Sequence, residues 1–548
     1  MHSACNKVVA FVLAAAICLW PGGPVFANGP GGYAETATPI RHLVVIFNEN
    51  ISFDHYFGTY PNATNPSGEP QFYPRPGTPT VNGLSGALLT NNPNLQNTGN
   101  GTGATNPFRL DPSQAATADQ NHSYGPEQSA ADMGLIDLYP KFVGTAGPPP
   151  NAPPMADTKG LTMGYFDGNT VTALWNYAQH FALSDNSYGS TFGPSTVGLM
   201  NLVAGQTNGV GTIINGTGSE TADGYGGLTV IDDPDPIGDM CSSPTRNQVQ
   251  MTSQNIGDLL RAAGITWGSF MGGFNLSIVN SNGTTGCSRS STGIPGTTAD
   301  YIPHHAMFQY WASTTNSTHA RPKDVWEVGN DGPANHEYDL LDFYAALSAG
   351  NLPAVSFIKQ IALQDGHAGY SDPLDEQTGI VNVVNAVMQS PYWRDTAIVI
   401  LYDDSDGWYD HQLGPIVNQS SSPADTLTGK NACGNGLGSA LPGANATTTP
   451  HAQGRCGYGI RQPLMVISPW ARENFVDNTV TDQSSVIHFI EDNWLGGQRL
   501  SGGSFDSIAN SIVQMFDFNR QWDDNSSRKL ILDPTTGERV QNQPPWPW

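Results

Sequence analysis

The chain has 548 residues, enough for one large α/β domain with insertions or for two to three average domains. Glycine (62) and proline (41) are abundant, yet 12 Trp, 19 Tyr and 21 Phe supply core material, so the composition describes a globular protein with long loops and excludes a disordered one. A formal charge of -25 excludes a general nucleic-acid binder and opposes adsorption to anionic lipid. It leaves a small anionic substrate open, because a bound metal ion reverses the local field.

Residues 1–27 have the pattern of a secretory signal: Lys7 in the n-region, an apolar stretch Val8–Trp20, and Val25-Phe26-Ala27 at the cleavage position. The apolar stretch is too short for a comfortable membrane span, and the expected location is secreted or periplasmic. Removal of 1–27 leaves Cys241, Cys287, Cys433 and Cys456. An even number in an exported chain suggests two disulfides. Neighbouring pairs, Cys241–Cys287 and Cys433–Cys456, are preferred among three connectivities. The remainder, 28–548, is expected to be a single domain with insertions near 60–120, 206–300 and 415–460.

The first clear element is His42–Phe47, a near-continuous apolar run that reads as a strand buried on both faces. It stops at Asn48-Glu49-Asn50. Residues 60–120 read as an irregular insertion. Helical spacing returns over Val171–Phe181, followed by a short strand at Ala182–Asn186. Residues 206–250 and 275–300 are loop-rich. The second half alternates strand (Ala354–Ile358), helix (Thr378–Met388), strand (Thr396–Tyr402), strand (Pro463–Ser468) and helix (Ser484–Trp494). The tail Gln543–Trp548 reads as extended. This alternation implies an α/β fold with a mostly parallel sheet flanked by helices.

In such a sheet, ligands collect beyond the carboxyl ends of strands. Two strands end in polar clusters. Glu49 and Asn50 offer hard oxygen ligands suited to Mg, Ca or Mn and usable by Zn, although a helix-capping turn has the same composition. Asp403 and Asp404 repel each other after a buried strand, and a divalent cation relieves that repulsion. The Gly/Pro-rich stretch Tyr188–Gly198 precedes an apolar segment, which places Ser195 or Thr196 at a helix N-terminus, its hydroxyl serving either as an N-cap or as a nucleophile. Histidines stand in three polar segments, at His122, at His304-His305 and at His367, where they can move protons.

The segment His42–Gly58 (HLVVIFNENISFDHYFG) resembles the opening motif of the bacterial phosphoesterase family, and Tyr402–His411 (YDDSDGWYDH) resembles its second metal motif. That family contains phospholipases C and respiratory-burst-inhibiting acid phosphatases. Its fold is similar to that of alkaline phosphatases and arylsulfatases. The resemblance implies that Glu49, Asn50, Asp403 and Asp404 hold one divalent metal ion. It implies that Ser195 is the nucleophile and that His122, His305 and His367 line the phosphate pocket. Phospholipase C members carry threonine in a Thr-x-Pro-Asn-Arg setting, whereas this chain has Gly193-Pro194-Ser195-Thr196-Val197-Gly198. With QDGHAGYSDPLDEQ at Gln364–Gln377, that stretch looks more like the acid phosphatase branch, from which Val197 departs.

The expectation is therefore a secreted, metal-dependent acid phosphatase that hydrolyses phosphate monoesters through a phosphoserine on Ser195, with His305 or His367 protonating the leaving oxygen. The alternatives are a phospholipase C cleaving phosphatidylcholine-type diesters, and an inert binding protein on the same scaffold. Expected partners are small phosphorylated substrates or phospholipid head groups, with no nucleic acid and no stable membrane span.

Overall fold

The apolar run after residue 41 forms the central strand. His42–Asn48 (β1) is buried at every position, as a strand covered on both faces requires. The computed structural model describes residues 35–540 except 150, 421, 430–431, 436–440, 442, 444–454 and 520–527. The signal-like segment 1–27 and the tail Gln543–Trp548 lie outside the described residues.

The elements that place the site follow in chain order. After β1 come helix α1 (Phe53–Phe57), helix α2 (Tyr124–Ala131), helix α3 (Thr172–His180), strand β2 (Ala182–Tyr188) and helix α4 (Ser195–Ala204). Strands β3 (Trp267–Met271) and β4 (Glu337–Asp339), helix α5 (Leu340–Ala349), strand β5 (Val355–Lys359) and helix α6 (Pro373–Gln389) occupy the middle. Strands β6 (Thr396–Tyr402), β7 (Arg461–Ile467), β8 (Phe475–Asp477) and β9 (Thr481–Asp482) precede helix α7 (Ser485–Trp494).

These strands form one nine-stranded sheet in the order β4-β3-β5-β1-β6-β7-β2-β8, with β9 also paired to β2. Only β7 runs against the rest, being antiparallel to both β6 and β2. The expected α/β fold with a mostly parallel sheet flanked by helices is the observed one. Strands β5 and β6 lie on either side of β1, joined by α6 as a crossover. Asp372 caps α6 by accepting from the Leu374 and Asp375 N–H groups at 2.8 and 3.0 Å, and Pro373 follows at the first helical position. Buried Ile380, Val381, Val383, Val384 and Val387 make the packing face of α6.

Strands β3 and β4 are absent from the sequence-based reading. β3 is WGSFM, without a branched aliphatic residue, and β4 is only three residues long. Both pair because their neighbours supply a ladder, not because of intrinsic propensity. The 206–300 stretch, expected to be loop-rich, also holds short paired strands, such as Val210–Ile214 with Gln248–Met251, and the helix Ile256–Ala262. Val210–Ile214 has no buried residue, so it lacks the core-facing pattern by which a strand is recognised. Disulfides join Cys241 to Cys287 and Cys433 to Cys456, with Cα atoms 5.3 and 5.2 Å apart. Among the described residues no helix is long and apolar enough to cross a membrane.

Candidate active site

Three adjacent strand ends and one helix start converge. β1 and β6 pair in register, Asn48 opposite Tyr402, so the residues that follow each strand emerge side by side. Asn50 adopts a left-handed backbone (φ 64°), which asparagine tolerates, and ends the strand. Its N–H donates to Asp403 Oδ1 at 2.9 Å. Asp403 Oδ1 also accepts from the Asp404 N–H at 2.7 Å, and Asp404 Oδ1 from the Asp406 N–H at 2.7 Å. β5 contributes its last residue, Lys359, whose ammonium bonds Glu49 Oε1 and lies 3.8 Å from Asp403 Oδ2.

Ser195 is the first residue of α4. Pro194 occupies the N-cap position and offers no side-chain cap, so the capping alternative for Ser195 does not apply. The hydroxyl instead donates to Glu49 Oε2 at 2.8 Å and lies 3.3 Å from Asp404 Oδ2. Close approach of α4 to this turn depends on Gly198, where a Cβ would collide with the Asp403 carbonyl oxygen. Ser195, Glu49, Asn50, Asp403, Asp404 and Lys359 are all buried.

His305 enters the same cluster, with Nδ1 3.2 Å from Glu49 Oε1 and 3.8 Å from Asp365 Oδ2. Its neighbour His304 turns toward Asp235, 3.7 Å away. His122 and His367 stand in a second group, their rings 5.6 Å apart edge to face, beside Asp119 and Asp406. His122 Nδ1 is 3.3 Å from Asp406 Oδ1, and Asp406 Oδ1 accepts from the Asn50 amide at 3.1 Å, which links the two groups.

Burial, then the charge of Glu49, pushes the Asp403 carboxyl well above the ordinary range. Burial also raises Asp404, against the opposing pull of His122. Burial lowers His305 well below its usual value, reinforced by His304 and Lys359, and brings His367 down to about 4. Burial would lower His122 too, but Asp404 and Asp406 overcome it and hold His122 well above the usual histidine range. Lys359 is likewise kept charged against burial by Glu49, Asp403 and Asp365.

Glu49, Asp403 and Asp404 bring carboxylate oxygens within 4.8 Å of one another. Asn50 Oδ1 and Asp403 Oδ2 are buried without hydrogen-bond partners, a costly arrangement for polar atoms unless a cation satisfies them. All-oxygen ligands of this kind suit one divalent metal ion and leave its identity open. Three of the expected ligands, Glu49, Asp403 and Asp404, therefore meet next to Ser195, and Asn50 follows Glu49 with its side-chain oxygen unpaired.

Lys359 and Asp365 escaped the sequence reading, as did the part of Asp406 in joining the clusters. Lys359 directly follows the expected strand Ala354–Ile358, and a cation at a strand end that faces acidic strand ends was the available clue. Asp365 and Asp406 sit inside motifs already singled out, but their neighbours carried the attention.

Residues 40–495 match the phosphoesterase family over most of the chain. This chain belongs to the phosphoesterase family. It is a phosphate-ester hydrolase. The phosphoesterase is 24% identical over 469 residues to the non-hemolytic phospholipase C of Pseudomonas aeruginosa, covering 82% of this chain and 53% of that enzyme, so it spans about half the relative's length. It is 25% identical over 528 residues to phospholipase C A of Mycobacterium tuberculosis, covering 93% of this chain and 83% of that one. A plant relative, non-specific phospholipase C6 of Arabidopsis thaliana, is 22% identical, covering 81% and 64%. Among solved structures, murine ectonucleotide pyrophosphatase/phosphodiesterase 5 is 10% identical, covering 63% of this chain and 95% of that one, with a TM-score of 0.29. A protein of the alkaline phosphatase superfamily from Vibrio parahaemolyticus is 11% identical, covering 77% and 78%, with a TM-score of 0.28. Likeness at that level carries no conclusion about chemistry.

The named relatives overturn the expected acid phosphatase with a phosphoserine intermediate, and nothing supports a respiratory-burst-inhibiting branch. That expectation rested on the loop around Ser195 and on the stretch Gln364–Gln377. One carries Ser195 and the other His367. Neither reads what is attached to the other phosphate oxygens, which is what separates a monoester from a diester.

Proposed function

We propose that this phosphoesterase is a phospholipase C, cleaving the phosphodiester of a glycerophospholipid on the glycerol side to give diacylglycerol and a phosphorylated head group. One observation carries the reading: the Ser195 hydroxyl stands at the start of α4, hydrogen-bonded to Glu49 and beside Asp404, in a chain whose named relatives are phospholipases C.

Ser195 Oγ attacks phosphorus, and the bond from phosphorus to the glycerol oxygen breaks. The hydroxyl proton faces the Glu49 carboxylate. The covalent intermediate keeps the head group and is a serine-linked phosphodiester. Water then cleaves the Ser195 linkage and releases the head-group phosphate. A divalent ion held by Glu49, Asn50, Asp403 and Asp404 supplies Lewis acidity and favours the ionised hydroxyl. Lys359 orients the Glu49 carboxylate and offsets its charge. His122 serves best as proton donor to the leaving glycerol oxygen, because Asp404 and Asp406 raise its pKa, whereas burial lowers those of His305 and His367. The His367 Nδ1–H is spent on the Ala368 carbonyl at 2.6 Å and His305 Nδ1 faces Glu49 at 3.2 Å, so in their neutral forms both rings turn an acceptor nitrogen outward and neither donates to a phosphoryl oxygen.

Export of the protein is part of the same proposal, supported by the pattern of residues 1–27 and by two disulfides, which persist in oxidising compartments.

The test compares purified protein, supplied in turn with Mg, Ca, Mn and Zn, on short-chain phosphatidylcholine and on p-nitrophenyl phosphate. Phosphocholine release that outpaces monoester hydrolysis supports the proposal. Monoester hydrolysis alone defeats it.

A further inference from the structure

The carboxyl edge of the sheet carries a cavity of about 700 Å³, lined in part by the segment that joins Lys359 to Asp365. It opens where Gly272 follows β3 and Gln360 follows β5. The 278–292 insertion and the outer faces of α5 and α6 complete its walls. None of its lining residues belongs to the cluster around Ser195.

Its chemistry is neutral. The one cation in the lining, Arg289, is fully engaged: Nε donates to Asp300 Oδ2 at 3.0 Å, Nη1 to the Asn275 carbonyl at 3.0 Å, and Nη2 lies 3.5 Å from Asp339 Oδ2. No positive charge is left over for a phosphate or a carboxylate. The two acids are engaged as well, Asp300 also by Asn280 and Ser291 and Asp339 by the Asn275 and Leu341 N–H groups. A free cation therefore meets carboxylates that already have donors.

What remains is a set of neutral polar groups. Gln360 lines the space at 2% exposed; its Nε2 has no hydrogen-bond partner and is buried from solvent, so the amide meets a ligand only by a change of rotamer toward the cavity. Tyr344, Gln364 and Asn382 line the same space. An unpaired buried amide is costly, and a rotamer that turns it onto a ligand hydroxyl recovers that cost. Beside these groups lie the apolar surfaces of Leu341, Ile361 and the Tyr344 ring. A ligand with hydroxyls on its edge and C–H groups on its face matches both. An amide presents a donor and an acceptor at the spacing of two neighbouring hydroxyls, and a tyrosine ring accepts a C–H face. The volume lies in the range of small-molecule sites, roughly 300–1,000 Å³.

We propose that this cavity binds a neutral sugar ring, as a site separate from the phosphoester centre and independent of the phospholipase reading. The experiment is saturation-transfer NMR on the full mature protein with glucose, galactose, mannose, N-acetylglucosamine, maltose and cellobiose, each tested alone, and with 1-octanol as an apolar probe. Transfer to the ring protons of at least one sugar, with a millimolar Kd on the order of −4 kcal/mol, is expected. Gln360→Leu and Tyr344→Ala should each weaken it about tenfold or more, which is 1.4 kcal/mol. Should Gln360→Leu fail to fold, Asn382→Leu, at an exposed position of α6, takes its place. Tyr344→Ala and Asn382→Leu should leave phosphoester turnover unchanged. The proposal falls if no sugar shows transfer, if transfer survives in all variants, or if only 1-octanol binds in a variant-sensitive way.

Discussion

The backbone N–H of Asn50 donates to Asp403 Oδ1 at 2.9 Å, across 353 positions of sequence. This bond fastens the end of β1 to the end of β6 and brings two motifs into one site. It also commits one Asp403 oxygen to backbone donors, leaving Oδ2 without a hydrogen bond and with the Lys359 ammonium 3.8 Å away.

That arrangement predicts tight metal binding that depends on Asp403. Asp403→Asn keeps the size of the side chain and removes its charge. Loss of an outer-shell partner costs a metal site about 10–100-fold in affinity, and loss of a direct ligand should exceed about 100-fold. Calorimetric titration of metal-stripped protein with Mn²⁺ measures it. Equal affinity in the variant would remove Asp403 from the metal site.

Ser195→Ala should lower kcat/KM on phosphatidylcholine by about 10³-fold or more, leaving only what electrostatics and binding supply. Stability should change little, by about 1 kcal/mol, because Ser195 is not the cap of α4 and loses one hydrogen bond to a carboxylate that keeps Lys359. Near-normal turnover in a folded variant would dismiss Ser195 as nucleophile.

A second charged cluster is structural. Arg461 on β7 is completely buried, and its guanidinium lies 3.1 Å from both Asp54 and Asp410. Arg461→Met leaves two buried carboxylates without their cation and should cost about 3–5 kcal/mol. Urea denaturation of the two proteins reads this directly. A cost below about 1 kcal/mol would show that the carboxylates find other compensation.

His411 gives that cluster a pH dependence. Burial would lower its pKa, but Asp54, 2.6 Å away, overcomes burial and raises it above the ordinary 6.5. Folding therefore takes up protons at this residue. The pairing contributes stability in full below pH 6.5 and loses it as pH rises through the raised folded-state value. The Tm difference between wild type and His411→Asn should be largest in mildly acidic buffer and shrink toward alkaline pH. A constant or widening difference contradicts the assignment.

Much of the site was legible before folding because each motif is local. A buried strand followed at once by acidic residues announces itself in sequence, as at Phe47-Asn48-Glu49-Asn50 and Tyr402-Asp403-Asp404. The α/β class was legible for the same reason, since apolar runs and helical spacing alternate along the second half. Strands β3 and β4 were not, because WGSFM and EYD gain their pairing from neighbours already in place.

The sequence by itself determined the fold class, the hard oxygen ligands at two strand ends and a hydroxyl at a helix start, because all three follow from residue type and short-range order. Only the tertiary structure decided that Asp404 and Asp406 push the His122 pKa up while burial pushes those of His305 and His367 down, that Lys359 and Asp365 join the site, and that Asp406 links its two halves. Those outcomes depend on burial and on charges brought within a few ångströms by the parallel pairing of β1 with β5 and β6, strands far apart along the chain. No local pattern encodes such a distance.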